Sequence, residues 1–223
     1  MLSVSQHRFF RAHPDRLELV RTAVPLATSA FSFALMSAVD TAFVTGLGVA
    51  ELAGVGLAGT LIFTVIITTG TLLRGLKICM AQAEGRGEAS LGYLGAGLRL
   101  GARAIVPTVV LLVALGFLTP ALLSTAASAA AASDYIWVRT LSIPMLFPLM
   151  ALREAFYGRG DTTTPLRAIV AANVLNLVLN WVSVELLHWG VRGVAFTTVM
   201  AVALQVFWLG RVQAAGKSSA MLG

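Results

Sequence analysis

The sequence predicts an all-α membrane protein of six transmembrane helices with both termini cytoplasmic, and three observations predict it. Hydrophobic residues make up 57% of the 223 residues and charged ones only 12%, half the share of about 25% usual in soluble domains. With a mean hydropathy of +0.85, the chain has too few polar side chains to cover a water-facing core. Six apolar segments follow one another, each at or near the roughly 20 residues that a bilayer-crossing helix needs. Of the 16 Lys and Arg residues, 14 fall on one side of that succession, leaving Arg139 and Arg192 for the other. Lys and Arg collect in cytoplasmic connections, and an even number of spans returns both ends to that side.

Residues 1–18, MLSVSQHRFFRAHPDRLE, alternate basic, acidic and apolar side chains without the continuous apolar core of a cleaved signal, and read as a cytoplasmic lead-in. The first span, about 19–46, contains Pro25, which removes a helix hydrogen bond and predicts a bend, either as a hinge or as architecture only. A tight outer loop leads to the second span, about 52–76 with a polar-tolerant extension to Ala83. There Gly54 and Ala58 have the small-residue spacing of close helix packing.

The third span covers about 98–123. The stretch STAASAAAASD is expected to form an outer-interface turn with a short helical piece, and Asp134 to cap the fourth span, about 135–156. At the inner end of that span Glu154 is expected to pair with its neighbour Arg153. Pro165 suits the first turn of the fifth span, about 166–187, and the loop HWGVR leads to the sixth, about 191–209. The six-helix region thus covers 19–211, and 212–223 form a cytoplasmic tail.

Inside these spans polar residues are few. Between Val24 and Ala50 the only ionisable residue is Asp40, and a carboxylate in hydrocarbon costs about 2.5 to 3.5 kcal/mol even on lenient scales. It is either functional or wetted by headgroups at the outer end of its helix. Asn173, Asn176 and Asn180 are spaced three and then four residues apart, which puts three amides on one helical face. They serve as hydrogen-bonding glue between helices or as oxygen ligands for a hard cation. Thr197, Thr198 and Gln205 follow in the sixth span.

The lone cysteine, Cys79, excludes an internal disulfide and a cysteine metal site and is expected to be a small buried side chain. There is no Gly-rich phosphate loop, no HExxH and no paired His and Cys. His7, His13 and His188 are expected to be solvated. No enzymatic activity and no cofactor are expected. A net charge of +6 would suggest nucleic acid in a soluble chain; here the expected surroundings are a lipid bilayer and no nucleic acid.

Five stretches taken together carry a resemblance. VDTAFVTGLG with a proline 15 residues before its Asp, LLRGLKICMAQAEGRGE, REAFYGRGDTTTP, NVLNLVLN and GVRGVAFTTV resemble, in that order, the N-terminal lobe of the MATE family of multidrug and toxic-compound extrusion transporters, DinF-like branch. The resemblance runs from about Arg21 to Arg211. It implies one six-helix lobe of a two-lobe transporter in the plasma (inner) membrane, exporting organic substrates, cationic or amphipathic, in antiport against H+ or Na+. It implies a cation-binding and coupling site of Asp40, Asn176, Asn180 and Thr198, with Asn173 and Thr197 as further polar residues of the cavity and Pro25 as the helix hinge. The only metal it suggests is Na+ at Asp40.

Two residues depart from the family pattern: Asn180 stands where some members carry a second acid, and Lys77 where an uncharged residue is usual. The chain also has six spans where the family has about twelve. The expectation is that a second lobe comes from a homodimer or a separate partner chain, which an even span number allows in the same orientation, and that residues 212–223 begin an inter-lobe linker. The alternative is a truncated half-transporter without transport activity, acting at most as a membrane interaction partner.

Overall fold

The computed structural model describes residues 16–88 and 90–221, and among these there is no strand. The lead-in before Arg16 and the side chains of Arg16, Arg21, Pro25 and Lys217 lie outside the described residues. Helix α1 (Arg16–Thr45) runs through position 25 and ends in a short turn at Gly48, whose φ of 144° favours glycine. Helix α2 (Val49–Gly70) continues through one 3-10 turn into α3 (Arg74–Gly85). After these come α4 (Leu91–Leu122), α5 (Ala126–Thr140), α6 (Ile143–Gly158), α7 (Thr163–Trp181), which ends in a π turn over Val182–Leu186, and α8 (Gly190–Met221).

Within the described residues, 27–45, 49–85, 91–122, 163–186 and 190–215 are each long and apolar enough to cross a bilayer. Helices α5 and α6 make a sixth crossing if taken together, bent by 57° between them. The bend has a chemical cause. Pro144, in the first turn of α6, has no N–H to give the carbonyl of Thr140, and its ring crowds that oxygen. Ser142 turns back instead, its Oγ donating to the carbonyl of Arg139 at 2.6 Å and its N–H at 3.0 Å.

Helix α5 begins nine residues earlier than the expected start of the fourth span at Tyr135. The stretch AASAAAAS, expected to be an interface turn, is rich in the strongest helix former, and Thr125 caps it by accepting from the N–H of Ser128 at 3.2 Å. Asp134 therefore does not cap the helix. It sits in the middle of α5 and accepts from Nη2 of Arg192 at 2.9 Å. The shift also moves Arg139, expected on the outer side, to about 20 Å along α5 at 1.5 Å per residue.

The helices pack through one apolar core that includes Leu73, Met80, Leu112, Ile136, Ile143 and Phe147. Helix α2 approaches α5 so closely that a Cβ at Gly54 would lie 2.3 Å from the Ser128 carbonyl oxygen, and Ala58 is fully buried one turn on. Phe31, Val106 and Phe117 stand exposed on the outside, as a lipid-facing surface requires.

Two further expectations are corrected. Cys79 is exposed on α3 rather than buried. Glu154 does not pair with Arg153, because consecutive helical residues do not face each other: Arg153 donates to Oε1 of Gln205, and Oε2 of Glu154 is enclosed without a hydrogen bond. Lys77 and Arg74 on α3 act on Glu154 electrostatically, which places the unexpected Lys77 beside a carboxylate.

Ahead of α7, the carboxylate of Asp161 accepts from the N–H groups of Thr163 and Thr164 at 3.1 and 2.9 Å and so closes the helix start, with Pro165 in the first turn. Partial burial pushes the Asp161 carboxyl up, but the bonds from Thr164 and Thr163 outweigh it and hold it below the ordinary value.

Candidate functional site

Asp40 is 5% exposed, near the end of α1 and facing α7 and α8. The amide spacing on α7 turns Asn176 and Asn180, both fully buried, toward it. Nδ2 of Asn180 donates to Oδ1 of Asp40 at 2.7 Å and Nδ2 of Asn176 to the same oxygen at 3.1 Å. From α8, Oγ1 of Thr198 donates to Oδ2 at 2.8 Å. Three donors on two helices thus address one carboxylate, an arrangement that stabilises an enclosed negative charge.

The amides are themselves oriented by a second set of bonds. Asn180 donates to Oδ1 of Asn176 at 3.2 Å, and Thr197 donates to Oδ1 of Asn180 at 2.5 Å. Thr197 in turn accepts from Nδ2 of Asn176 at 3.3 Å. Asp40, Asn176, Asn180, Thr197 and Thr198 therefore form one network. Asn173 stands apart from it, donating to the backbone carbonyl of Ser32 at 2.8 Å and holding α7 against α1, while its own Oδ1 is buried without a partner. Pro25 lies 15 residues before Asp40 in the same helix, about 22 Å along its axis.

A cavity of about 310 Å³ borders the network, lined by Ser37, Asp40 and Thr41 of α1, by Leu52, Val55, Gly56, Gly59, Thr60 and Phe63 of α2, and by Tyr135 of α5. The acid is the one carboxylate in a wall that is otherwise apolar or hydroxylic. Among the described residues, no group of three or more His, Cys, Asp or Glu side chains converges. The chemistry available is that of one carboxylate with amides and hydroxyls. As arranged, the donors point at Asp40; half a turn of an Asn amide would present its oxygen instead, which a hard cation requires.

Sequence reasoning missed Tyr135 and Arg139, which act on this site from α5. Tyr135 is buried and lines the cavity, and the Arg139 guanidinium acts electrostatically on both Asp40 and Tyr135. The signal that would have found them is the alanine-rich run with Thr125 before it. Starting the helix there brings Tyr135 and Arg139, four residues apart and so on one face, to the middle of the crossing.

Comparison with known proteins places the fold. The family model MatE matches residues 25–182. The chain is 31% identical over 209 residues to Protein DETOXIFICATION 44, chloroplastic, of Arabidopsis thaliana, covering 86% of this chain and 40% of that protein. It is 28% identical over 204 residues to the probable multidrug resistance protein NorM of Thermotoga maritima, covering 83% and 42%. Among solved structures, the eukaryotic transporter AtDTX14 superposes with a TM-score of 0.80 at 21% identity, over 89% of this chain and 45% of that one. The chain spans about 40% of the length of the curated relatives it matches over most of its own.

Proposed function

Because this chain belongs to the MatE family of multidrug and toxic-compound efflux transporters, we propose that it is the cation-coupled lobe of an antiporter, exporting organic, cationic or amphipathic compounds against H+ or Na+. Family members are ion-coupled antiporters rather than enzymes and use no cofactor. The observation that carries the reading is Asp40: a carboxylate inside the span, enclosed, met by donors from α7 and α8, and open to a cavity through its own helix.

A proton arriving on an Asp40 oxygen turns an acceptor into a donor, so Asn180 or Thr198 loses its partner. A sodium ion needs oxygens, so the amides of Asn176 and Asn180 must turn. In either case the bonds that hold α1 to α7 and α8 are rearranged, and α1 is freed to bend at Pro25. Coupling then follows if the cation binds the two arrangements with different affinity. The lobe lies in the plasma membrane with both termini cytoplasmic, as the distribution of Lys and Arg supports.

A second lobe, supplied by another copy or by a partner chain, completes the substrate path. The short coverage of the relatives supports that need, and it equally favours a second reading, a half-transporter that moves nothing.

Efflux from proteoliposomes separates the readings. With H+ and Na+ gradients imposed in turn, the wild type exports a fluorescent organic cation in response to one of them, and Asp40→Asn loses that response while keeping its fold. Export and ion dependence unchanged in Asp40→Asn would overturn the coupling role. No export by the wild type under either gradient, with or without a second lobe, would favour the inactive half-transporter.

A further inference from the structure

The coupling mechanism makes no use of Arg139. This residue stands in the last turn of α5, about 20 Å from the helix start, a depth at which a charge marks function by default. Its Nε and Nη1 are enclosed and have no hydrogen-bond partner. Leaving donors of a cation unpaired in a low-dielectric interior is costly, so the group calls for an acceptor.

The nearby acids do not supply one. Among the described residues no ion pair joins Arg139 to Asp40, whose two oxygens already accept from Asn176, Asn180 and Thr198. Asp134, on the same helix, is engaged by Arg192. Tyr135, one turn before Arg139 on the same face, is where α5 meets the cavity. A guanidinium is a planar fork matched to a carboxylate, and its depth in the crossing sets it away from lipid headgroups. The cavity beside it is walled by Leu52, Val55 and Phe63, which suit an apolar body.

We propose that Arg139 makes this cavity a binding site for an amphipathic organic anion, the ligand's carboxylate resting on the guanidinium and its apolar part against Leu52, Val55 and Phe63. The site widens the substrate class of the lobe from cations to carboxylates. It rests on the transporter reading for its physiological meaning, whereas binding itself requires no transport.

The test uses two probes of one shape and opposite charge, 1-naphthoate and 1-naphthylmethylammonium, in equilibrium dialysis against the purified full chain in detergent. The wild type is expected to hold naphthoate about tenfold or more tighter than the ammonium, the scale of a hydrogen bond to a charged group. Arg139→Gln is expected to abolish the preference by weakening naphthoate alone. Arg139→Lys keeps part of it, since an ammonium supplies charge without the fork. The comparison within the wild type needs no variant to fold.

A wild type without preference for naphthoate overturns the proposal, as does a preference that survives Arg139→Gln. If Arg139→Gln lowers only the thermal midpoint, the arginine serves the carboxyl end of α5 and the proposal is also overturned. Loss of ion coupling in Asp40→Asn bears on the antiport reading and leaves this result standing, so the two fail separately.

Discussion

Asp40 is addressed by three donors carried on α7 and α8, whereas Arg153 and Arg159 of α6 each rest on one glutamine of α8, Gln205 and Gln213. Both regions hold a charge with neutral partners, but with opposite signs and different redundancy. Thr198, Gln205 and Gln213 are seven and eight residues apart, so they lie along one face of α8. That face presents a hydroxyl donor to a carboxylate at one level and amide oxygens to guanidinium groups at the next two. Redundancy suits a site whose partners must exchange when a cation binds. A single amide suits a clamp that does not have to move.

The largest loss of stability is therefore expected at the clamp. In Gln205→Leu the Arg153 guanidinium loses its acceptor, and a hydrogen bond to a charged group is worth about 2 kcal/mol. The expected result is a clear drop in the thermal midpoint of the purified chain in detergent, with the affinity of the cavity for organic probes little changed. An unchanged midpoint would mean that another acceptor can replace Gln205, and the contrast in redundancy would be gone.

A smaller loss is expected at the network. Asn180→Ala removes the closest donor to Asp40, the bond to Asn176 and the acceptor of Thr197. Hydrogen bonds between membrane helices average about 0.6 kcal/mol each, and Asn176 and Thr198 still address the carboxylate. The midpoint should fall by less than in Gln205→Leu, while ion-driven efflux falls steeply because the exchange of partners at Asp40 is impaired. A larger stability loss at Asn180 than at Gln205 would reverse the assignment of site and clamp.

How far these regions could be read in advance follows from their geometry. The helical content and the amide face of α7 were legible because both rest on local periodicity, and a spacing of three and four residues fixes the face without knowledge of the neighbours. Arg139 was not legible, because its depth depends on where α5 begins. The alanine-rich stretch before it looks like a turn by hydropathy and like a helix by propensity.

Arg153 and Glu154 were misread as a pair because they adjoin in sequence, while the partner of Arg153 lies 52 residues away on α8. Cys79 faces outward for a related reason. The side of α3 that is buried is set by Leu76, Met80 and Ala83, and only their contact with the bundle shows it.

The smallest effect is expected where exposure removes the reason for any loss. Arg192 donates to Asp134 at 2.9 Å between α8 and α5, with 70% of the arginine side chain exposed. Both groups are hydrated when apart, and an exposed pair gains little from contact. Asp134→Asn keeps an acceptor oxygen at the same place, so the thermal midpoint should match the wild type within error. Raising the salt concentration should change neither protein's midpoint. If Asp134→Asn instead matched the drop in Gln205→Leu, exposure would not be what separates the two kinds of contact, and the cost at Arg153 would have to be assigned to the α6–α8 packing rather than to its charge.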